Sequence, residues 1–212
     1  MQAIDSIFYV IVLIMSVVIH EFAHGYTAYL FGDHTARLSG RLTLNPIKHL
    51  DLWGSIIIPL ILIISHAGFV IGWAKPVPVN PDNLKKGRWP SILVSISGIL
   101  ANILLAVIFG LLIRFAPSLG FPIYDPASPH PFYIITQTIV LLNLILALFN
   151  ILPIPPLDGS KILFELLPTK FRYIETFLER WGIFIMLIFI FFIWKYIAPI
   201  VFFAFSFLTG IY

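Results

Sequence analysis

Five apolar runs, each near or beyond the length that crosses a bilayer, leave this 212-residue chain very little choice of backbone. They cover residues 4–31, 52–72, 91–115, 132–152 and 181–207. About 20 apolar residues in a helix traverse the hydrocarbon core, where every N–H and C=O must find its partner inside the protein. Helices meet that condition segment by segment, so the expected fold is an all-α polytopic membrane protein, one integral domain over residues 1–212. The hydrophobic share of 59% and charged share of 11% agree, the latter about half the usual value. The net charge is only +3, and the basic residues gather in loops. That pattern points to membrane orientation and anionic lipid, not to nucleic acid. With no cysteine, disulfides, thiolate zinc ligands and cysteine nucleophiles are excluded. No basic region precedes the first run and no small-residue cleavage signal ends it, so it reads as a retained span rather than a signal peptide.

Within that first run stands His20-Glu21-Phe22-Ala23-His24, an H-E-x-x-H sequence. Residues four apart on a helix share a face, so both imidazoles can reach one metal ion, for which zinc is the usual choice. The glutamate between them can take a proton from a water that the metal has made acidic. Ionisable groups at membrane depth are costly, and their presence there is a mark of function.

The next stretch, Arg37 to Asn45, alternates Leu42 and Leu44 with polar neighbours after a Ser39-Gly40 turn signal. It predicts a short hairpin or edge strand, which could hold a peptide extended by strand addition. Residues 52–72 contain Pro59 and His66, and the proline-punctuated Trp73 to Pro81 follows. Ser160 to Arg180 is amphipathic and suits the membrane interface. Lys195 reads as snorkelling, and the Phe-rich stretch 183–193 as lipid-facing packing. If residues 52–72 cross the membrane, Lys and Arg divide 4 against 8 between the two sides. If they dip in and return, the division is 11 against Arg114 alone, setting aside Lys195. The positive-inside rule selects the second topology: four spans, one re-entrant element, the N-terminus outside, and the hairpin and metal site toward the cytoplasm. Five spans are the alternative.

A catalytic zinc takes three protein ligands and leaves one position open. Asp158 is the candidate third ligand. It follows an apolar span at a place where Pro153, Pro155 and Pro156 prevent a regular helix. Its alternative role is to cap the next helix. Asn150, at the end of that span, could hold a carbonyl or a developing oxyanion, or serve as interhelical glue. His66 could approach the metal or make an ordinary interfacial hydrogen bond.

HEFAH in the first span and Asn150-Ile-Leu-Pro-Ile-Pro-Pro-Leu-Asp158-Gly159 after a later one resemble the site-2 protease family of intramembrane zinc metalloproteases. Gly98-Ile-Leu-Ala-Asn102 is similar to that family's glycine-to-asparagine motif, with Ile99 where a proline is usual. Gly72-Trp-Ala-Lys-Pro-Val-Pro-Val-Asn-Pro81 resembles a signature of its small prokaryotic branch, and no loop here is long enough for a PDZ-like domain. The resemblance implies one zinc per chain held by His20, His24 and Asp158, with Glu21 as general base. It places Asn150 and Asn102 near the substrate, which would be another membrane protein in the cell membrane. Gly98 and Asn102 could equally form a small-residue packing face. Three rival readings remain. A metal transporter would need a polar path on both sides of the site, and no second cluster or inverted repeat supplies one. A di-iron oxidase would need many more paired histidines. A non-catalytic scaffold would not need Glu21.

Overall fold

The structure is a computed structural model and describes residues 2–65 and 73–211. Among these, every regular element is helical: α1 (Gln2–Leu30), α2 (Thr35–Leu38), α3 (Ile58–Ile64), α4 (Arg88–Arg114), α5 (Pro131–Asn150), α6 (Asp158–Leu166), α7 (Arg172–Ile188) and α8 (Trp194–Thr209). A π-helical stretch, Leu52–Ile57, leads into α3, and another, Phe189–Ile193, joins α7 to α8. Four helical stretches are long and apolar enough to span a bilayer: Phe8–Leu30, α4, α5 and Thr169–Thr209. The chain is a multi-pass helical membrane protein.

The shared partner is α4, which packs against α1, α5, α6 and α8. Its buried residues Ile92, Ser95, Ile99, Asn102, Ala106, Gly110 and Ile113 recur every three or four positions and so form one stripe. Hydrophobic burial gives helices little reason to associate in lipid, so close approach through small residues matters more. A Cβ on Gly110 would lie 2.8 Å from Leu208 Cβ of α8. Toward the Arg114 end the interior is apolar, with Ala106, Ile113, Ala116, Tyr133 and Val140 in one cluster. Toward the Arg88 end it holds the polar side chains described below.

The expected hairpin at Arg37–Asn45 does not form, and no strand occurs among the described residues. Local bonds claim the backbone first. Asp33 Oδ1 accepts from Thr35 N–H at 3.0 Å and starts the turn of α2. The Ala36 carbonyl then accepts from both Arg41 (2.9 Å) and Leu42 (3.2 Å). Leu42 and Leu44 alternate, but no second strand faces them.

Trp73 to Asn80 crosses the end of α1 without regular structure. Pro76 and Pro78 hold it extended, because each restricts itself and the residue before it. The N–H groups of Trp73 and Lys75 donate to the carbonyls of Gly54 (3.1 Å) and His49 (2.8 Å). The Asn80 N–H donates to Asp33 Oδ2 at 2.7 Å. His66, Gly68 and Gly72 of the expected re-entrant element lie outside the described residues.

The amphipathic stretch from Ser160 to Arg180 is two helices rather than one. Leu167 before Pro168 is extended, with φ −69° and ψ 132°, as a residue preceding proline prefers. The chain is then helical over the 41 residues Thr169–Thr209. That is about 60 Å of helix against a hydrocarbon core about 30 Å thick, so the charged start with Arg172, Glu175, Glu179 and Arg180 has room to stand outside it.

Candidate metal centre

His20 and His24 lie one turn apart on α1, and Asp158 opens α6. The proline-rich link after α5 folds back tightly, with Gly159 packed against the Ile151 and Leu152 carbonyls where a Cβ would not fit. This brings Asp158 to the imidazoles. Its Oδ2 lies 3.0 Å from Nε2 of His20 and 3.0 Å from Nε2 of His24, and the two nitrogens are 3.0 Å apart. All three side chains are buried.

Hydrogen bonds behind the imidazoles fix which nitrogens face inward. His24 Nδ1 lies 2.7 Å from the Val94 carbonyl, which can only accept, so Nδ1 carries the hydrogen. His20 is fixed through a longer chain. Asn143 Nδ2 donates to the Ile139 carbonyl at 2.8 Å and to Ser16 Oγ at 2.9 Å, which leaves Asn143 Oδ1 as an acceptor. Asn102 Nδ2 donates to that oxygen at 2.7 Å, so Asn102 Oδ1 accepts from His20 Nδ1 at 2.5 Å. In its neutral form each imidazole therefore turns an Nε2 lone pair toward a carboxylate oxygen.

Three lone-pair donors so close together in a buried place repel one another unless a cation or a proton lies among them. Ligands about 2.0–2.1 Å from a tetrahedral zinc are roughly 3.3 Å apart, and the observed triangle is slightly tighter. The facing helix leaves room: a Cβ on Gly98 would come within 2.5 Å of His24 Nε2 and 2.7 Å of His20 Nε2. Two imidazole nitrogens, one carboxylate oxygen and the space kept by Gly98 fit a zinc ion. His20, His24 and Asp158 are a group able to hold a metal ion.

Glu21 is half-buried beside this group, and its Oε2 accepts from the Val77 N–H at 2.7 Å. Oε1 has no partner among the described bonds. Asp158 Oδ1 points away from the histidines and meets Lys161 Nζ at 3.0 Å.

The remaining candidates take other positions. Asn102 is fully buried behind His20, with both ends of its amide engaged, so it faces a ligand rather than an incoming substrate. Asn150 donates from Nδ2 to the Leu146 carbonyl of its own helix at 3.0 Å and bonds to no side chain of the centre. His49 is buried against the Thr43 carbonyl, His130 caps α5, and exposed His34 packs on Tyr29. Sequence reasoning missed Asn143, Ser16, Val94, Lys161 and the Val77 N–H. Each works through a partner at least 41 residues away, except Lys161, whose Asp158-x-x-Lys161 spacing was readable as an i,i+3 pair.

The profile of peptidase family M50 matches residues 8–131 and 123–193. The chain belongs to peptidase family M50. The first matched stretch contains His20, Glu21 and His24, and the second contains Asp158. Over 181 residues this M50 chain is 46% identical to the Bacillus subtilis protein named "Putative zinc metalloprotease YwhC", covering 84% of this chain and 78% of that one. The Mycolicibacterium smegmatis protein named "Putative zinc metalloprotease Rip2" is 33% identical over 175 residues, covering 82% of this chain and 63% of its own. The Rip2 of Mycobacterium tuberculosis strain H37Rv is 31% identical over 146 residues, 69% of this chain and 52% of its own. The chain thus spans less than two thirds of either mycobacterial relative. No solved structure matches it.

Proposed function

We propose that this chain is a zinc-dependent endopeptidase that cuts transmembrane or juxtamembrane segments of other membrane proteins. The observation that carries the reading is the triangle of His20, His24 and Asp158 donor atoms, each pair 3.0 Å apart, with Glu21 beside it. His20, His24 and Asp158 would hold one zinc ion. Bound there, zinc would supply Lewis acidity, to polarise a peptide carbonyl and make a water acidic. Glu21 takes the proton of the attacking water and delivers it to the leaving amine. The Val77 N–H fixes one oxygen of Glu21 and leaves the other for that transfer. Asn102 and the Val94 carbonyl keep both imidazoles in the ligating tautomer. The substrate helix must open at the cut, because an intact turn keeps its carbonyls bonded and screened. Asn150 gives one amide N–H to Leu146 and keeps a second for the opened carbonyl.

Residues 52–72 enter the membrane and return on one side in this reading. Gly54 O accepts from Trp73 N–H at 3.1 Å, and Ser55 Oγ donates to Trp73 O at 2.8 Å. Contact between Gly54, Ser55 and Trp73 supports a return to the same side over a crossing of a layer about 30 Å thick. The centre then lies on the basic, cytoplasmic side. His24 is six residues from the end of α1, and Val94 six from the start of α4, about 9 Å along each helix. Because the chain has no cysteine, Ser55→Cys and Ala74→Cys variants give clean labelling sites. Both should react with an impermeant thiol reagent from the cytoplasmic face.

The deciding experiment compares wild type with Glu21→Gln in detergent, measuring bound zinc and cleavage of a model membrane substrate. Wild type should hold one zinc and cut, and Glu21→Gln should hold one zinc and not cut. A cutting Glu21→Gln protein, or a folded wild type that takes up no zinc, overturns the reading.

A further inference from the structure

Asp158 offers its two oxygens to different partners. Oδ2 faces the imidazole nitrogens, and Oδ1 meets the Lys161 ammonium at 3.0 Å. We infer that Lys161 is a positioning residue of the metal centre: it occupies Oδ1 and so restricts Asp158 to binding through Oδ2 alone. The inference rests on the zinc reading above. A carboxylate beside a dication can bind through one oxygen or chelate through both, and the choice decides whether the ion keeps an open position for water and substrate. A cation held on Oδ1 biases that choice toward one oxygen.

Two observations separate this contact from an ordinary surface ion pair. Lys161 has a carboxylate on either side along α6, Asp158 three residues back and Glu165 four residues on, yet among the described ion pairs it meets only Asp158. The pair also joins unlike environments. The Asp158 side chain is 6% exposed, whereas that of Lys161 is 59% exposed. Lys161 lines a cavity of about 450 Å³ together with Glu165, Arg172 and Glu175. The side chain stays largely open to water while its ammonium reaches the buried carboxylate, which gains a counter-charge without a second side chain being fully desolvated.

Cobalt(II) in place of zinc reads coordination directly, since four-coordinate cobalt absorbs visible light much more strongly than five- or six-coordinate cobalt. Wild type, Lys161→Met and Lys161→Arg would be loaded with cobalt in detergent for spectra, and with zinc for chelator competition. Wild type should give the intense four-coordinate bands. Lys161→Met should give the weaker bands of a higher coordination number and lose roughly 10–100-fold in zinc affinity, the range for lost outer-shell partners. Lys161→Arg should stay near wild type on both measures. A wild-type spectrum in Lys161→Met overturns the inference whatever the affinity, and so does a Lys161→Arg protein as disturbed as Lys161→Met. Failure of wild type to take up either metal overturns the zinc reading instead.

Discussion

Asn102 Oδ1 lies 2.5 Å from His20 Nδ1, on the side of the imidazole away from Asp158. The bond holds the ring in the one tautomer that can ligate. Asn102→Ala should therefore lower zinc affinity roughly 10–100-fold without unfolding the helices. Asn143→Ala, one bond further back, should weaken binding less. Chelator competition on purified protein measures both, and the order of the two effects checks the relay.

Gly98 separates room for the metal from room for packing. A methyl group there would press within 2.5 Å of His24 Nε2. Gly98→Ala should leave a helical protein with well under one zinc per chain. Gly110→Ala puts the same methyl group against Leu208 of α8. It should lower the melting temperature while zinc content stays at wild-type level. Metal analysis beside thermal unfolding distinguishes the two.

The Val77 N–H orients Glu21, and a proline removes that donor while keeping the backbone extended. Val77→Pro should lower kcat by roughly tenfold, a fraction of the 10²–10⁴-fold that a placed general base contributes, with zinc retained. Val77→Ala removes the buried side chain but keeps the N–H, and should cut faster than Val77→Pro. Single-turnover cleavage with metal analysis tests the pair.

Asp33 ties the end of α1 to the segment that crosses it. Its burial pushes the carboxyl pKa up, but hydrogen bonds from the Thr35 hydroxyl, the Asn80 and Thr35 N–H groups and the Asn83 amide outweigh this and hold it below its ordinary value. A depressed folded-state pKa means stability that is present above the unfolded pKa of about 3.9 and lost as pH falls through the lower folded value. Asp33→Asn should thus melt lower than wild type at neutral pH, and the gap should narrow on acidification below about pH 4. Melting curves from pH 7 to pH 3 in one detergent check the sign.

How much of this was legible in the chain follows from how far each signal reaches. His20, Glu21 and His24 sit within one helical turn, so spacing alone places them. Asp158 stood out because prolines break the helix before it. The four long apolar stretches follow from length and hydropathy. Asn143 was hidden because its meaning depends on Asn102, 41 residues earlier and on another helix. The hairpin at Arg37–Asn45 failed for the converse reason: alternation marks a strand only when a partner lies alongside, and the Ala36 carbonyl took the available N–H groups first. The break at Leu167 was readable from Pro168, but amphipathicity on both sides obscured it.

The segment from Trp73 to Asn80 has little left to offer another chain. Trp73, Lys75, Val77 and Asn80 give their N–H groups to Gly54, His49, Glu21 and Asp33. Pro76 and Pro78 have none to give. Only Ala74 and Val79 remain as donors, too few and too far apart to zip up with a neighbouring strand. Exposed extended backbone usually invites the edge-to-edge association that leads to aggregation. Here a peptide-like stretch lies against Glu21 at the edge of a metal centre with too few free N–H groups to become a template for its own copies.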